Sequence, residues 1–322
     1  MKAITLSDPS DKTSLHLTEV PDPVPAAGEV VVRVQAAGVN RGDLLQAAGY
    51  YPPPPGASEI MGLECAGVIE DPNGHAEFSS GQPVACLLAG GGYAEKVAVP
   101  AGQVMPLPEG YSPEEAAAVV EVACTVYSNL VMLAGMHAGQ TVLIHGGAGG
   151  IGTFAIQLAK HIGCHVIVTA GSPEKLEVCR RLGADELINY REDDFAELAR
   201  GRADIILDIM GAKYLDRNIT ALAKDGHMVI IGMQGGTKAE LNIGKLLAKR
   251  GTISATALRA RDLDAKAKIC RETVAAVWPL LSAGTITHQI HEVLPLAEAA
   301  RAHQMLADGA VTGTLVLRVD TV

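Results

Sequence analysis

Three groups of residues in this chain have types and spacings that could do chemistry. The first is Gly147, Gly149 and Gly152, a G-x-G-x-x-G spacing inside TVLIHGGAGGIGTFAIQLAK, residues 141–160. Glycines so spaced let backbone approach a pyrophosphate, because no Cβ intervenes and a helix N-terminus behind them attracts the anion. The second group is Gly171, Ser172 and Lys175: a small residue, a hydroxyl and an ammonium about twenty residues beyond the loop, where a dinucleotide's adenine ribose is read. The third is Tyr50 and Tyr51, two phenols ahead of four prolines at 52–55. Consecutive prolines hold an extended wall at little entropic cost, and phenols at its edge could line a pocket for a flat molecule. The same tyrosines could instead simply pack on the prolines at the surface.

The elements that must position these groups are legible in the hydrophobic pattern. Val142, Leu143 and Ile144 form a short apolar run that breaks into glycines and resumes with helical spacing at Ile151, Phe154, Ala155, Leu158 and Ala159. That reads as strand, turn, helix, the context that turns a glycine pattern into a claim about nucleotide binding. From residue 141 onward, apolar strand candidates at 142–144, 165–169, 186–188, 205–209, 228–231 and 253–255 alternate with helical patterns at 152–162, 173–182, 212–223 and 239–249. Continuous apolar strands between helices imply a doubly wound parallel sheet, with its ligand at the carboxyl ends of the strands. The second strand ends in Thr169-Ala170-Gly171-Ser172 with no acid to hold a ribose 2′-hydroxyl, which favours NADPH over NADH. The nearby acid, Glu174, falls at a helix start, where the dipole accounts for it. After the fifth strand, Gly232 and Met233 are candidates for neighbours of a nicotinamide, while Gly235 and Gly236 can be a plain turn.

Residues 1 to about 120 are punctuated differently, with short β-type runs separated by proline and glycine clusters, which points to a β-rich barrel. Residues 112–133 read as a helix, with Ser112 as cap, Pro113 at the first position and Glu114-Glu115 complementing the dipole. Such a helix would cross between domains, making Thr125 and Tyr127 candidates for a cleft as well as for core. The last run, from Gly313 to Val319, reads as a strand returning to the first domain. The expected boundaries are 1–122 with 261–322 for the β-rich domain and 123–260 for the nucleotide domain.

Composition narrows the function. The 322 residues are 48% hydrophobic and 19% charged, as in globular chains, and the net charge of −10 gives no basic footprint for nucleic acid. No signal-type N-terminus and no apolar run of membrane-spanning length are read, so a cytoplasmic protein is expected. The six cysteines are widely spaced without C-x-x-C, which favours buried free thiols over disulfides or a zinc knuckle.

With these residues in hand, the chain resembles the zinc-independent medium-chain dehydrogenase/reductases, in their quinone oxidoreductase, zeta-crystallin-like branch and its tumour-suppressor-induced subgroup. The resemblance runs through GVNRGDLLQAAGYYPPPPGASEIMGLECAG, IHGGAGGIGTFAIQLAK, VTAGSPEKLEVCRRLGAD, INYREDDF and TGTLVL in family order. It implies a GroES-like barrel domain plus a Rossmann domain, NADPH as cofactor, and homodimers or homotetramers built through the nucleotide domain. Position by position, it implies Asn40 near the nicotinamide ribose, Thr125 beneath the nicotinamide, and Gly149, Gly150 and Ile151 on the diphosphate. It further implies Ser172, Lys175 and Tyr190 on the 2′-phosphate, Gly232, Met233 and Leu258 at the nicotinamide end, and Tyr50 or Tyr51 in the substrate pocket. Zinc-dependent relatives carry a ligand cysteine near Asn40-Arg41 and G-H-E where this chain has Gly62-Leu63-Glu64, so no metal site is expected and Glu64 reads as structural or as an ion-pair partner.

The resulting expectation is hydride transfer from NADPH to a quinone in the interdomain cleft. A quinone spreads incoming charge over its ring and second oxygen, so positioning and modest hydrogen bonding suffice, with Asn40 and a tyrosine or solvent assisting. The alternatives are reduction of an activated carbon–carbon double bond in an alkenal, enone or enoyl thioester, and a nucleotide-binding redox sensor or structural protein.

Overall fold

The computed structural model describes residues 1–8, 11 and 14–320. It divides into two compact units: unit 1 is Met1–Cys124, Leu258–Gly284 and His288–Val322, and unit 2 is Thr125–Ala257 with Thr285–Thr287. The boundaries read from sequence at 122/123 and 260/261 therefore move to 124/125 and 257/258.

In unit 1, β1 (Lys2–Leu6) and β2 (Leu15–Glu19) form an antiparallel pair. There follow β3 (Glu29–Val39), α1 (Arg41–Ala47), β4 (Glu64–Asp71), β5 (Pro83–Leu87), β6 (Lys96–Pro100), β7 (Val104–Pro106), α2 (Pro113–Ala117) and α3 (Val120–Val126). The long strand β3 organises the main sheet. It pairs antiparallel with β4 and β6, and Val30, Val32, Val34, Ala37 and Val39 from it lie in the unit's hydrophobic core. Asn40, the residue after β3, starts α1, so the strand's end and the helix's beginning place one candidate side chain.

Residues 112–133 are not the single helix read from sequence. Ser112 does cap α2, in a capping box with Glu115, but the backbone tightens at Ala118 and Val119, whose N–H groups reach Glu115 and Ala116. After α3 the segment Tyr127–Leu133 is π-helical. Asn129 Nδ2 and Ser128 Oγ both take the Thr125 carbonyl, and Ala134 N–H reaches back five residues to Asn129, so the ladder widens locally. Pro113–Leu133 is long and apolar enough to span a bilayer by composition, with mean hydropathy 1.7 in its most apolar window, but 72% of that window is buried inside the protein.

Unit 2 comprises β8 (Thr141–His145), α4 (Gly150–Ile162), β9 (His165–Ala170), α5 (Pro173–Arg181), β10 (Glu186–Asn189), α6 (Phe195–Leu198), β11 (Ala203–Asp208), α7 (Leu215–Ala221), β12 (Leu222–Ile230), α8 (Ile243–Lys249) and β13 (Thr252–Ala255). The six strands are all parallel, in the order β10-β9-β8-β11-β12-β13, the doubly wound arrangement expected from the alternation. The strand order reverses between β8 and β11, which puts the switch point directly beyond the glycine loop. Two helices are shorter than read. A 3-10 turn at Gly211–Tyr214 precedes α7, and Asn242 caps α8 by accepting from Lys245 N–H at 2.9 Å, leaving 239–242 outside.

The chain then returns to unit 1 through α9 (Leu263–Ser282), β14 (Ile290–Pro295), α10 (Ala299–Ala307) and β15 (Thr314–Arg318). β15 pairs antiparallel with β3, Leu315 opposite Val39, as the sequence reading of the last run anticipates. All six cysteines are buried and free.

Candidate dinucleotide and acceptor sites

In unit 2 the glycine loop divides its labour differently from the simplest reading of the fingerprint. Gly146, outside the motif, makes the turn: its φ is +70°, and a Cβ there would meet the Ile209 side chain at 2.5 Å. A Cβ on Gly147 would press on Cys179 Sγ at 2.9 Å and Val168 at 3.0 Å, so this position admits close packing of α5 and β9. A Cβ on Gly152 would lie 2.4 Å from the Gly146 carbonyl, which lets α4 seat on the loop. Gly149 is the cap of α4; a Cβ there would meet nothing nearer than 3.6 Å, and no side chain caps this helix end. The first turn of α4, with Gly150 and Ile151, therefore presents its N–H groups and positive dipole end outward, a fit for a diphosphate. The root of the loop is fixed by His145, which sequence reading did not single out. Its ring nitrogens bond Thr169 Oγ1 at 3.0 Å and Asn218 Oδ1 at 2.8 Å, and burial pushes its pKa down to about 4, keeping it neutral.

At the end of β9, a Cβ on Gly171 would fall 2.4 Å from the Tyr190 hydroxyl and 3.4 Å from Arg191 Nε, so glycine lets both side-chain ends lie against the strand end. The fold thus brings Gly171, Tyr190 and Arg191 together, and Arg191 was not foreseen. Ser172 caps α5, accepting from Lys175 N–H at 3.4 Å. Its hydroxyl also hydrogen-bonds Glu174, whose carboxyl is held below its ordinary range by that bond. Glu174 lies in the first turn of α5, where the sequence reading put it. Tyr190 is 41% exposed.

Beyond β11 and β12 two loops interlock. Asp208 accepts from Met210 N–H at 2.7 Å and Gly211 N–H at 3.0 Å, and burial lifts its pKa to about 6 against those two bonds. A Cβ on Gly232 would strike the Ile209 carbonyl at 2.7 Å, so Gly232 serves loop packing, while Met233 is 54% exposed. Thr125 is nearly buried; its carbonyl is held by Asn129, whose Oδ1 accepts from Thr256 Oγ1 at 2.6 Å.

In unit 1 a buried polar network surrounds Asn40. Asn40 Nδ2 donates to Glu64 Oε1 at 2.7 Å, and Glu64 Oε2 accepts from Glu121 N–H at 2.8 Å. Burial first, and then the Glu121 charge, hold the Glu64 carboxyl well above its ordinary pKa. No ion pair engages Glu64 among the described residues, so of the two roles read from sequence the structure favours the structural one. Asp43, also buried, accepts from Asn40 N–H at 2.8 Å, Gly62 N–H at 3.0 Å and the Tyr93 hydroxyl at 3.0 Å; burial raises its pKa to about 6. Gly42, the second residue of α1, has its Cβ direction 3.4 Å from the Tyr51 ring edge, which stands Tyr51 beside the helix that Asn40 begins. Tyr50, in contrast, is 80% exposed. Leu258 is half-buried and belongs to unit 1. Among the described residues no group of three His, Cys, Asp or Glu side chains could hold a metal ion.

Comparison with known proteins places the chain. Residues 26–109 match the family model described as alcohol dehydrogenase GroES-like domain, and residues 150–281 match that of zinc-binding dehydrogenase. The chain belongs to the medium-chain dehydrogenase/reductase family. Within it, the chain is 32% identical over 300 residues to a quinone oxidoreductase of Pseudomonas aeruginosa, covering 91% of this chain and 92% of that protein. It superposes on the crystal structure of Escherichia coli quinone oxidoreductase complexed with NADPH with a TM-score of 0.89 at 28% identity, covering 99% of this chain and 100% of that one. It is also 31% identical over 331 residues, 98% of its length, to the phthioceranic/hydroxyphthioceranic acid synthase of Mycobacterium tuberculosis, of which it spans 15%.

Proposed function

We propose that this chain is an NADPH-dependent quinone reductase that works without a metal. The observation that carries the reading is the pair of nucleotide features in unit 2. One is an α4 N-terminus that no side chain caps, behind Gly149; the other is Gly171 at the end of β9, with no acid there and Tyr190 and Arg191 beside it. Gly147, Gly149, Gly150 and Ile151 would hold the diphosphate, and Gly171, Ser172, Lys175 and Tyr190 the 2′-phosphate. Thr125, Gly232 and Met233 would serve the nicotinamide end, with Asn40 and Leu258 of unit 1 assigned to the same end. Bound NADPH supplies the hydride. Of the two adjacent tyrosines the reading assigns the acceptor's proton to Tyr51, the one packed against α1, and not to exposed Tyr50. The reading of metal independence rests on Asn40-Arg41 standing near the position where zinc-dependent relatives carry a ligand cysteine, and on Leu63 standing where they carry the histidine of G-H-E.

The fixed position of Tyr51 also favours a second reading, reduction of an activated carbon–carbon double bond, because protonating carbon demands a placed acid more than protonating a quinone oxygen does. Steady-state turnover of NADPH with a quinone panel and with an enone separates the two. Higher kcat/KM for quinones supports the first reading, and higher kcat/KM for the enone replaces it with the second. As for partners, we propose a homodimer formed through unit 2: β13 is an edge strand of the six-stranded sheet, and Leu241, Ile243 and Leu247, in the segment that leads into it, are exposed.

A further inference from the structure

One buried charge in unit 1 has no partner of opposite sign. Arg259 is 4% exposed, and its guanidinium donates to three neutral acceptors: Nε to the Ala89 carbonyl at 2.7 Å, Nη1 to the Tyr51 carbonyl at 2.8 Å and Nη2 to Gln46 Oε1 at 2.7 Å. No carboxylate forms an ion pair with it among the described residues; Asp43 and Glu59 act on it only through space. Lys266, equally buried, donates its ammonium to the Arg259 carbonyl at 3.4 Å, so a second cation stands behind the first. Withdrawing a guanidinium from water onto neutral acceptors costs stability, and a neutral donor could serve the same oxygens. The charge therefore calls for a use. The guanidinium carbon lies 5.0 Å from the centroid of the Tyr51 ring. A single side chain thus grips the backbone of Tyr51 and sets a fixed positive charge against its π face.

We propose that Arg259 is a positioning residue for Tyr51: its fork fixes the ring beside the start of α1, and its charge stabilises the phenolate left when Tyr51 gives its proton to the reduced acceptor. The proposal rests on the reading of Tyr51 as proton donor. In that step the acceptor, having gained a hydride, carries one negative charge. The Tyr51 O–H bond breaks, a new O–H bond forms on the acceptor oxygen, and the phenolate takes a proton back from water. The groups acting on the phenol are Asp43 and Glu121, which oppose the phenolate as burial does, and Arg259, which favours it. Removing Arg259 leaves only opposing influences.

Ultraviolet titration of the phenol in the ligand-free protein tests this, with kcat measured alongside. The difference between wild type and Tyr51→Phe identifies the Tyr51 transition. In Arg259→Gln, whose amide keeps two N–H donors but not the charge, the transition moves up by about one pH unit and kcat falls by about tenfold. That fall is absent when Tyr51→Phe is already present. Arg259→Lys, which keeps the charge, returns the transition towards the wild-type position. An unmoved Tyr51 transition in Arg259→Gln, or a loss of kcat equally large in the Tyr51→Phe background, overturns the role of Arg259. Wild-type kcat in Tyr51→Phe instead overturns the proton-donor reading on which that role rests.

Discussion

Asp43 shows how one buried side chain makes a prediction about the whole chain's stability. Its folded pKa, about 6, lies above the ordinary 3.8, so the native state holds the proton more tightly than the unfolded chain. The stabilisation is therefore fully present below pH 3.8 and is lost as pH rises to about 6. Measured by denaturant titration as wild type minus Asp43→Asn, so that titrations elsewhere in the chain largely cancel, the advantage of the wild type grows by about 3 kcal/mol between these limits as pH falls. A difference independent of pH would show that the fold leaves the Asp43 pKa where the unfolded chain has it. At the other end of the chemistry, Lys175→Ala weakens NADPH binding by about tenfold and leaves NADH binding unchanged, because only the former carries the extra phosphate. Equal losses, read by fluorescence titration with each nucleotide, would remove Lys175 from that site. Such residues differ in how far sequence reveals them. Ser172 and Lys175 are legible because the fingerprint fixes how far beyond the loop to look. Asp43 passes for an ordinary acid in a helix's first turn, and Arg259 lies more than two hundred positions from the tyrosine it grips, so no local pattern joins them.

At the scale of elements, the glycine loop and α4 form one device whose two halves fail differently. Gly149→Ala adds a methyl at ordinary contact distance, 3.6 Å from the Gly146 carbonyl, so stability changes by less than about 1 kcal/mol, while a pyrophosphate loses its approach and NADPH affinity falls by at least about tenfold. Gly152→Ala drives a methyl against the Gly146 carbonyl, 2.4 Å away, and destabilises by about 1–3 kcal/mol with or without nucleotide. Thermal melts of both variants with and without NADPH check this; a Gly149→Ala protein protected as well as the wild type would contradict it. The parallel sheet of unit 2 was legible because its strands are short apolar runs between helices, the pattern of a sheet covered on both faces. The π-helical stretch at 127–133 was not, since Asn129 and Ser128 share one carbonyl there and Thr256 reaches Asn129 from far along the chain. The longer apolar stretch that contains it, Pro113–Leu133, mimics a membrane span in composition, and only its burial distinguishes the two.

For the whole molecule, the edge strand β13 and the exposed Ile243 and Leu247 of α8 make self-association the expected state. Ile243→Glu with Leu247→Glu halves the mass seen by sedimentation while leaving the thermal protection by NADPH in place. An unchanged mass would move the interface elsewhere, and a wild-type monomer would remove it. The proposed reaction is reduction of quinones by NADPH unaided by metal. Its most direct test is the rate of NADPH oxidation by an ortho-quinone, using protein dialysed against a strong chelator and verified free of zinc. The expected result is saturable turnover well above the uncatalysed background and unaffected by the chelator; a rate equal to background, or activity that returns only when zinc is restored, would contradict it.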